Sequence, residues 1–266
     1  MQQTHGLSER RACGLVGMAR SSQSYQPRQP EDAVVRDQLR QLAMQWPRFG
    51  YPRLTALLRR QGLRVNHKRV YRLYGEEALA VRRRRRKQVA RARRIRRVLP
   101  TRPNERWSLD FMADSLVSGR VFRTLSIVDD WSRESLAITV DTSLPGARVM
   151  RVLEALYHDR GLPERIVLDN GPELRSRSVD QWATARGVVL DFITPGKPME
   201  NAYVESLNGK FRDECLNQHW FASLAKAREL IEAWRQDYNE RRPHSALDYQ
   251  TPAEFVATAT RPGLSL

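Results

Sequence analysis

The spacing of apolar residues predicts an all-helical region at the start of the chain. Residues 31–79 contain three segments in which apolar positions recur every three or four residues, the period of an amphipathic helix. The corresponding helices are expected at 31–46, 52–61 and 66–79, with Asn66 at the N-cap of the third. A shorter pair of helices around a Gly-containing turn is predicted within residues 8–25. This part is therefore expected to be all-α and of helix-turn-helix type.

From residue 103 onward the pattern changes to short apolar, β-branched runs that alternate with helical segments. The predicted strands lie at 106–112, 121–130, 134–140, 164–169 and 188–193. The predicted helices lie at about 146–160, 177–187, 200–216 and 223–239, with a last one after a Thr251–Glu254 capping box. Short turns join the first three strands, which favours antiparallel neighbours. The order predicts an α/β fold, a mixed sheet with flanking helices.

Charge is distributed unevenly along the chain. Residues 1–102 carry 26 Lys and Arg against 6 Asp and Glu, a net charge of +20, whereas residues 103–266 have a net charge of −4. Residues 82–97 (RRRRRKQVARARRIRR) hold 11 of the basic side chains, and such a block repels itself unless a polyanion neutralises it. A solvated linker would explain this block alone, whereas a nucleic-acid partner also explains why the whole N-terminal third is basic.

On the third predicted helix, Lys68, Arg69 and Arg72 are expected to face outward and to contact DNA in the major groove. A basic three-helix bundle held by protein contacts is the open alternative. We predict a helical DNA-binding region at 1–80, an Arg-rich linker at 81–102, a catalytic core at 103–220 and a C-terminal helical extension at 221–266.

The bulk sequence also limits where the protein is expected to act. No apolar run approaches the roughly 18 residues of a membrane span, and the N-terminus lacks the apolar segment of a signal peptide. Cys13 and Cys215 lie far apart and in no zinc-ligand spacing. We expect a reduced cytoplasmic protein, associated with the nucleoid, with no membrane partner and no structural zinc.

Three acidic residues carry the candidate chemistry. Asp110 interrupts the apolar strand WSLDFM, and Asp169 follows the strand RIVL at its C-terminal end, where ligand sites of α/β sheets lie. Glu205 lies on a predicted helix, with 35 residues between it and Asp169. Carboxylates brought together repel each other, and hard divalent cations relieve that repulsion and support phosphoryl transfer. Each acid alone is equally explained by a turn, a surface charge or an edge strand; together they predict a divalent-metal phosphoryl-transfer site.

The helix of Glu205 is expected to present a polar stripe away from the core. Asn201, Asn208 and Arg212 share this stripe with Glu205, and we expect these three to contact DNA. Gly209, inside the same helix, costs about 1 kcal/mol relative to Ala, which a close approach of the DNA backbone would explain.

These segments resemble the second-frame (OrfB) transposases of bacterial insertion sequences, whose catalytic domain is similar to that of retroviral integrases and has a ribonuclease-H-like fold. The resemblance runs through WSLDF, TLSIVDDWSRE, LDNGPE, TPGKPMENAYVESLNGKFRDECLN and WRQDYNERRPHSALDYQTPAEF, and covers about residues 25–256. It implies that Asp110, Asp169 and Glu205 bind Mg²⁺, with Mn²⁺ as an expected substitute, and that Arg212 contacts DNA. It also implies a homo-multimer on DNA, acting with or fused to a first-frame OrfA product.

Three alternatives stay open at this point. A DNA-binding regulator would explain the basic N-terminal part but not the acids, and a nuclease of the same fold would cut without joining. A tyrosine recombinase would need a nucleophilic Tyr near Arg and His. Tyr249, near Arg241, Arg242 and His244, offers such a grouping in a setting that we expect to be structural. The sequence favours a Mg²⁺-dependent transposase that cleaves a donor strand and transfers its 3′ end.

Overall fold

The computed structural model describes residues 6, 8–23, 32–81, 99–194 and 196–260. Most of the predicted Arg-rich linker lies outside these residues. The N-terminal part is helical, as predicted: α1 Glu9–Leu15, α2 Arg20–Gln23, α3 Asp32–Gln45, α4 Tyr51–Arg60 and α5 His67–Glu76. The Asn66 side chain accepts a hydrogen bond from the Lys68 N–H, which confirms it as the N-cap of α5. The apolar faces of α3, α4 and α5 meet in one core that includes Leu39, Leu58 and Leu73, all fully buried.

A five-stranded mixed sheet follows, in the spatial order β3-β2-β1-β4-β5. Its strands are β1 Arg106–Ser115, β2 Val121–Asp129, β3 Ser135–Asp141, β4 Arg165–Leu168 and β5 Val189–Phe192. The first three strands are antiparallel, as predicted, whereas β4 pairs parallel with both β1 and β5. Strand β1 continues three residues past its predicted end, because Asp114 and Ser115 pair with Phe122 and Val121 of β2.

Helices cover both faces of the sheet, so the predicted α/β class is confirmed. They are α6 Gly146–Arg160, α7 Arg177–Arg186, α8 Ala202–Glu214, α9 Leu224–Glu240 and α10 Pro252–Ala259. One face, with Leu109 of β1, packs against α6 and α7, and the other, with Phe122 of β2, packs against Phe211 of α8 and Ile231 of α9. The Thr251–Glu254 capping box forms at the start of α10. Within the described ranges, no helix combines the length and the apolar character that crossing a membrane requires.

The N-terminal helices contact the C-terminal part of the chain directly. Arg48 Nη2 donates to both carboxylate oxygens of Asp213 at 2.6 and 2.7 Å, and Trp46 Nε1 donates to Asp237 at 3.1 Å. Trp46, predicted as part of the face of α3, lies just past the end of that helix. The predicted region boundaries at 80, 102 and 220 remain predictions.

Candidate active site

Strand β1 places Asp110 on the sheet face opposite to its fully buried neighbour Leu109. Asp110 is half-buried: one carboxylate oxygen accepts the N–H of Phe111 at 2.9 Å, and the other accepts Asn208 Nδ2 at 2.8 Å. Burial raises the pKa of Asp110 to about 6; these two hydrogen bonds lower it, and the negative charges of Asp169 and Glu205 raise it. Asp110 is therefore within electrostatic reach of both other predicted acids.

Asp169 stands directly after β4, the parallel neighbour of β1. Ser108 of β1 lies opposite Val167 of β4, so extending this register by two residues brings Asp169 alongside Asp110. The Asp169 carboxylate accepts the Gly171 N–H at 2.9 Å, which closes a tight turn. A Cβ atom at Gly171 would lie 3.0 Å from Asp169 Oδ1, so a larger residue there would displace the carboxylate. The turn thus fixes this acid at the carboxyl end of β4, as the sequence predicted.

Two asparagines join α8 to β1: Asn201, the N-cap residue just before the helix, and Asn208 within it. Both were expected on an exposed stripe. Only 3% of Asn201 and 6% of Asn208 is accessible, so the prediction that they face outward is wrong. Asn201 Nδ2 donates to the Leu109 carbonyl at 2.8 Å, and Asn208 Nδ2 donates to Asp110. The side of α8 that carries Asn201 and Asn208 faces β1, so both side-chain amides bind the strand. Among the described residues, neither Oδ1 atom has a hydrogen-bond partner.

Glu205 is exposed on α8, on the outer side of the same stripe. Its charge acts on Asp110, but no group of three or more His, Cys, Asp and Glu side chains reaches metal-binding geometry within the described part of the chain. The structure therefore arranges Asp169 and Glu205 around Asp110 without bringing all three carboxylates into one closed set of ligands.

Two further acids have structural partners: Asp129, the last residue of β2, and Asp130, which follows it. Asp129 accepts backbone N–H groups from Trp131 and Ser132 at 3.0 and 2.8 Å. Asp130 is 1% exposed and accepts Arg106 Nε at 2.6 Å; burial raises its pKa to about 6, and the Arg106 charge opposes that rise. These acids hold the turn between β2 and β3.

The predicted DNA-contacting side chains of α5 differ in their surroundings. Lys68 is exposed, whereas Arg69 and Arg72 each donate to a different carboxylate oxygen of Asp32 at 2.8 Å. Arg72 also donates to Glu76 at 2.8 Å. The expectation that Arg69 faces solvent is wrong, because Asp32 at the start of α3 draws its guanidinium toward the bundle.

The grouping around Tyr249 has structural contacts, as expected. Arg242 is 2% exposed and donates from Nε and Nη2 to the Glu214 carboxylate at 2.7 and 2.6 Å. His244 is buried, and burial together with the Arg242 charge lowers its pKa to about 2. The Tyr249 carbonyl accepts a hydrogen bond from Arg60 at 3.0 Å. These bonds hold the loop after α9 and commit Arg242 and His244 to structural contacts, which does not suit them to the site of a tyrosine recombinase.

Comparisons with known proteins agree with this architecture. The integrase core domain family matches residues 100–198 and 186–252, and the HTH-like domain family matches residues 29–87. The latter confirms the helix-turn-helix type for α3–α5; it does not extend to the short helices within residues 8–25.

Proteins of other insertion elements match most of the chain. The "Insertion element IS407 uncharacterized 31.7 kDa protein" of Burkholderia multivorans is 53% identical over 94% of this chain and 91% of its own length. The "Transposase InsD for insertion element IS2A/D/F/H/I/K" of Escherichia coli is 28% identical over 90% of this chain and 83% of its own length. Among solved structures, a chain of the simian T-cell lymphotropic virus intasome in complex with PP2A regulatory subunit B56 gamma has the same fold. It has a TM-score of 0.51 and 17% identity, over 86% of this chain and 77% of that chain. From the family matches and these relatives, the chain belongs to the insertion-element transposases, polynucleotidyl transferases of the DDE type with an integrase-type core.

Proposed function

We propose that this transposase uses Asp110, Asp169 and Glu205 as its catalytic metal ligands, for strand cleavage and 3′-end strand transfer at the ends of its element. One observation carries the assignment. The chain has 46 Lys and Arg side chains, yet none of the three carboxylates forms an ion pair with one of them in the described part of the protein. Asp110 and Asp169 are half-buried and Glu205 is exposed. Half-buried carboxylates without an ion pair fit a hard divalent cation better than they fit solvent, and Glu205 can complete the set of oxygen ligands from the open side.

The proposed cofactor is Mg²⁺, with Mn²⁺ as a substitute. When bound, it supplies neutralising charge and polarises the attacking and leaving oxygens of the phosphoryl transfer. The protein holds the three carboxylates in position. Asn208 orients the Asp110 carboxylate, the Gly171 turn orients Asp169, and Asn201 ties α8, with Glu205, to β1. We propose this positioning role for Asn201 and Asn208 in place of the predicted DNA contact.

The direct test is strand transfer on labelled DNA that carries the flanking element ends. Asp110→Asn, Asp169→Asn and Glu205→Gln keep volume and remove charge, so each is expected to reduce strand transfer to the level without enzyme while DNA binding persists. Asp159→Asn, at an exposed carboxylate on α6, is the matched control and is expected to keep full activity. Wild-type activity in any of the three variants would remove that residue from the site.

The same assay separates the alternative functions. Cleaved but unjoined products from the wild-type protein would identify a nuclease. Binding without either product, with Mg²⁺ present, would identify a regulator.

DNA is the partner of this transposase, and we propose that the basic N-terminal third supplies most of its phosphate contacts. Replacing the 11 Lys and Arg of residues 82–97 by Gln keeps the chain length and removes charge. The slope of log affinity against log salt should then become shallower by about 0.9 for each phosphate that the variant no longer neutralises. An unchanged slope in a titration of labelled DNA would contradict this assignment.

Lys68, Arg72 and Arg212 are the exposed basic residues among the predicted DNA contacts, and we propose them for that role. Two element ends must be brought together, so we propose a homo-multimer on DNA that acts with, or fused to, the OrfA product. We place it in the cytoplasm, on nucleoid DNA.

A further inference from the structure

A groove of about 530 Å³ opens where the β1–β2 hairpin meets the segment after α8. We call it the Trp220 groove; its lining includes Asp114, Leu116, Val117, Arg212, His219 and Trp220. Its volume lies within the about 300–1,000 Å³ typical of ligand sites. Trp220 is 88% exposed, the highest value among the exposed large hydrophobic side chains of the described residues. Exposing a tryptophan ring to water loses the favourable free energy of burying it, so the exposure of Trp220 indicates a function for the ring.

The outward direction of Trp220 is fixed by its neighbours. Phe221 is 2% exposed and packs edge-to-face on Phe122, with ring centroids 5.5 Å apart. The Phe221 carbonyl accepts the Val117 N–H at 2.9 Å, which ties this segment to the hairpin turn. His219 Nδ1 lies 2.9 Å from the Cys215 carbonyl, and since a carbonyl only accepts, this ring nitrogen is the protonated one. With both neighbours anchored, the Trp220 ring is presented to solvent by the fold.

Arg212 supplies the Trp220 groove with a positively charged group that can bind an anion. Arg212 is exposed, its Nη2 is 3.4 Å from the Ala113 carbonyl, and it has no carboxylate ion pair in the described part of the chain. The Asp114 carboxylate, also in the groove, accepts the N–H of Ser115. Asp114 and Arg212 form no ion pair with each other, so the Arg212 guanidinium can bind a phosphate beside the exposed indole ring.

The Trp220 groove lies along α8 from the candidate active site, since Arg212 lines the groove and Glu205 lies on the same helix. Arg212 follows Glu205 by seven residues on α8, which is two helical turns or about 10 Å along the axis. A DNA strand whose phosphate lies at the acidic site can thus reach the groove within a few nucleotides.

We propose that the Trp220 groove binds one unpaired nucleotide of a DNA strand, with its base stacked on Trp220 and its phosphate bound by Arg212. The proposal rests on the proposed function, because it needs DNA at the neighbouring site. Within a duplex both faces of a base are covered by its neighbours, so a protein ring stacks on a base that has left the helix or ends a strand. Such stacking tolerates any base, because every base has a flat face.

The experiment compares two labelled probes with the full chain in EDTA, so that binding is measured without catalysis. One probe is a blunt duplex, and the other is the same duplex with a single-stranded 3′ extension. Trp220→Ala should weaken binding of the extended probe about tenfold and leave the blunt probe unchanged. Trp220→Phe, which keeps an aromatic face, should retain most of the affinity. Val189→Ala, at an exposed apolar position on β5, is the matched control and should affect neither probe.

Salt dependence separates stacking from phosphate binding. The ratio of wild-type to Trp220→Ala affinity should persist as salt rises, whereas the loss caused by Arg212→Ala should shrink. Equal affinity of wild type and Trp220→Ala for the extended probe would overturn the proposal.

Sedimentation without DNA provides the second arm. If Trp220→Ala converts a multimer to a smaller species, the surface is a contact between copies and the proposal is wrong. Failure of the wild-type protein to bind either probe would remove the proposed function and this site with it. If the carboxylate variants lose strand transfer but still bind the extended probe through Trp220, both the proposed function and the proposed nucleotide site are supported.

Discussion

Asn208 connects, through one amide group, the helix that carries Glu205 with the strand that carries Asp110. Its Nδ2 donates to the Asp110 carboxylate, and its side chain is almost inaccessible. A carboxylate on a strand can rotate about its side-chain bonds, and a fixed donor restricts it to one orientation. Residues that act in this way support a site although they never touch the reacting atoms.

Asn208→Ala is expected to slow strand transfer while DNA affinity stays near the wild-type value. Loss of a hydrogen bond to a charged group should also lower the free energy of unfolding by about 1–3 kcal/mol. Urea unfolding and strand transfer, measured on the same preparation, test both effects. Gln181→Ala, at an exposed amide on α7, is the control. A variant that loses stability but transfers strands at the wild-type rate would reduce Asn208 to a purely structural residue.

At the scale of elements, the sequence pattern predicted those helices and strands whose formation depends on interactions within their own segment. Helices α3–α5 and the first three strands follow directly from the spacing of apolar residues. The extension of β1 through Ser115 was missed because pairing with Val121 of β2, a contact across the hairpin, holds those polar residues in the strand.

In the candidate site as well, some residues were predictable from their own segment and others depend on contacts between segments. Asp110 in mid-strand and Asp169 at a strand end were predictable, because each is defined by its own segment. The burial of Asn201 and Asn208 was not, because it depends on where α8 lies against β1. The sequence showed only that two polar residues lie seven positions apart on one helix. That spacing is equally consistent with a contact to a strand and with a contact to DNA. The exposed Trp220 was also missed, since a lone aromatic in the sequence suggests burial.

The end of α8 is joined to the segment after α9 by the buried pair of Glu214 and Arg242. Arg242→Met leaves the Glu214 carboxylate with only the more distant Arg53 Nη1, 3.9 Å away, as an ion-pair partner among the described residues. This loss should lower the free energy of unfolding by about 3 kcal/mol, near the lower end expected for a buried pair that loses one member. The double variant with Glu214→Leu removes both charges and should regain most of that loss, because neither buried charge then lacks a partner. Urea unfolding of the wild type, both single variants and the double variant completes the cycle. Additive losses would show that the two side chains stabilise the fold independently.

At the scale of the molecule, the helical region of α3–α5 lies against the C-terminal part of the chain, and residues 103–266 together carry a slight net negative charge. Arg48 and Asp213 form a contact between them with two hydrogen bonds, and Arg60 contacts the loop after α9 through the Tyr249 carbonyl. These contacts hold the helix-turn-helix region against the helices that flank the acidic site. DNA bound by one part is thereby placed in a defined relation to the other.

This docking predicts cooperative unfolding that one charge reversal should disrupt. The wild-type protein should unfold in a single thermal transition, because the helical region is stabilised by its contacts with α8 and α9. Asp213→Arg puts two guanidinium groups in contact and should release the helical region as a separate, earlier transition. The swapped pair, Arg48→Asp with Asp213→Arg, restores opposite charges and should restore the single transition. Arg165→Asp, which reverses an exposed ion pair with Asp191 in the sheet, is the control and should keep one transition. Two transitions in the wild-type protein would mean that the two parts fold independently, and that the linker rather than this contact sets their relation on DNA.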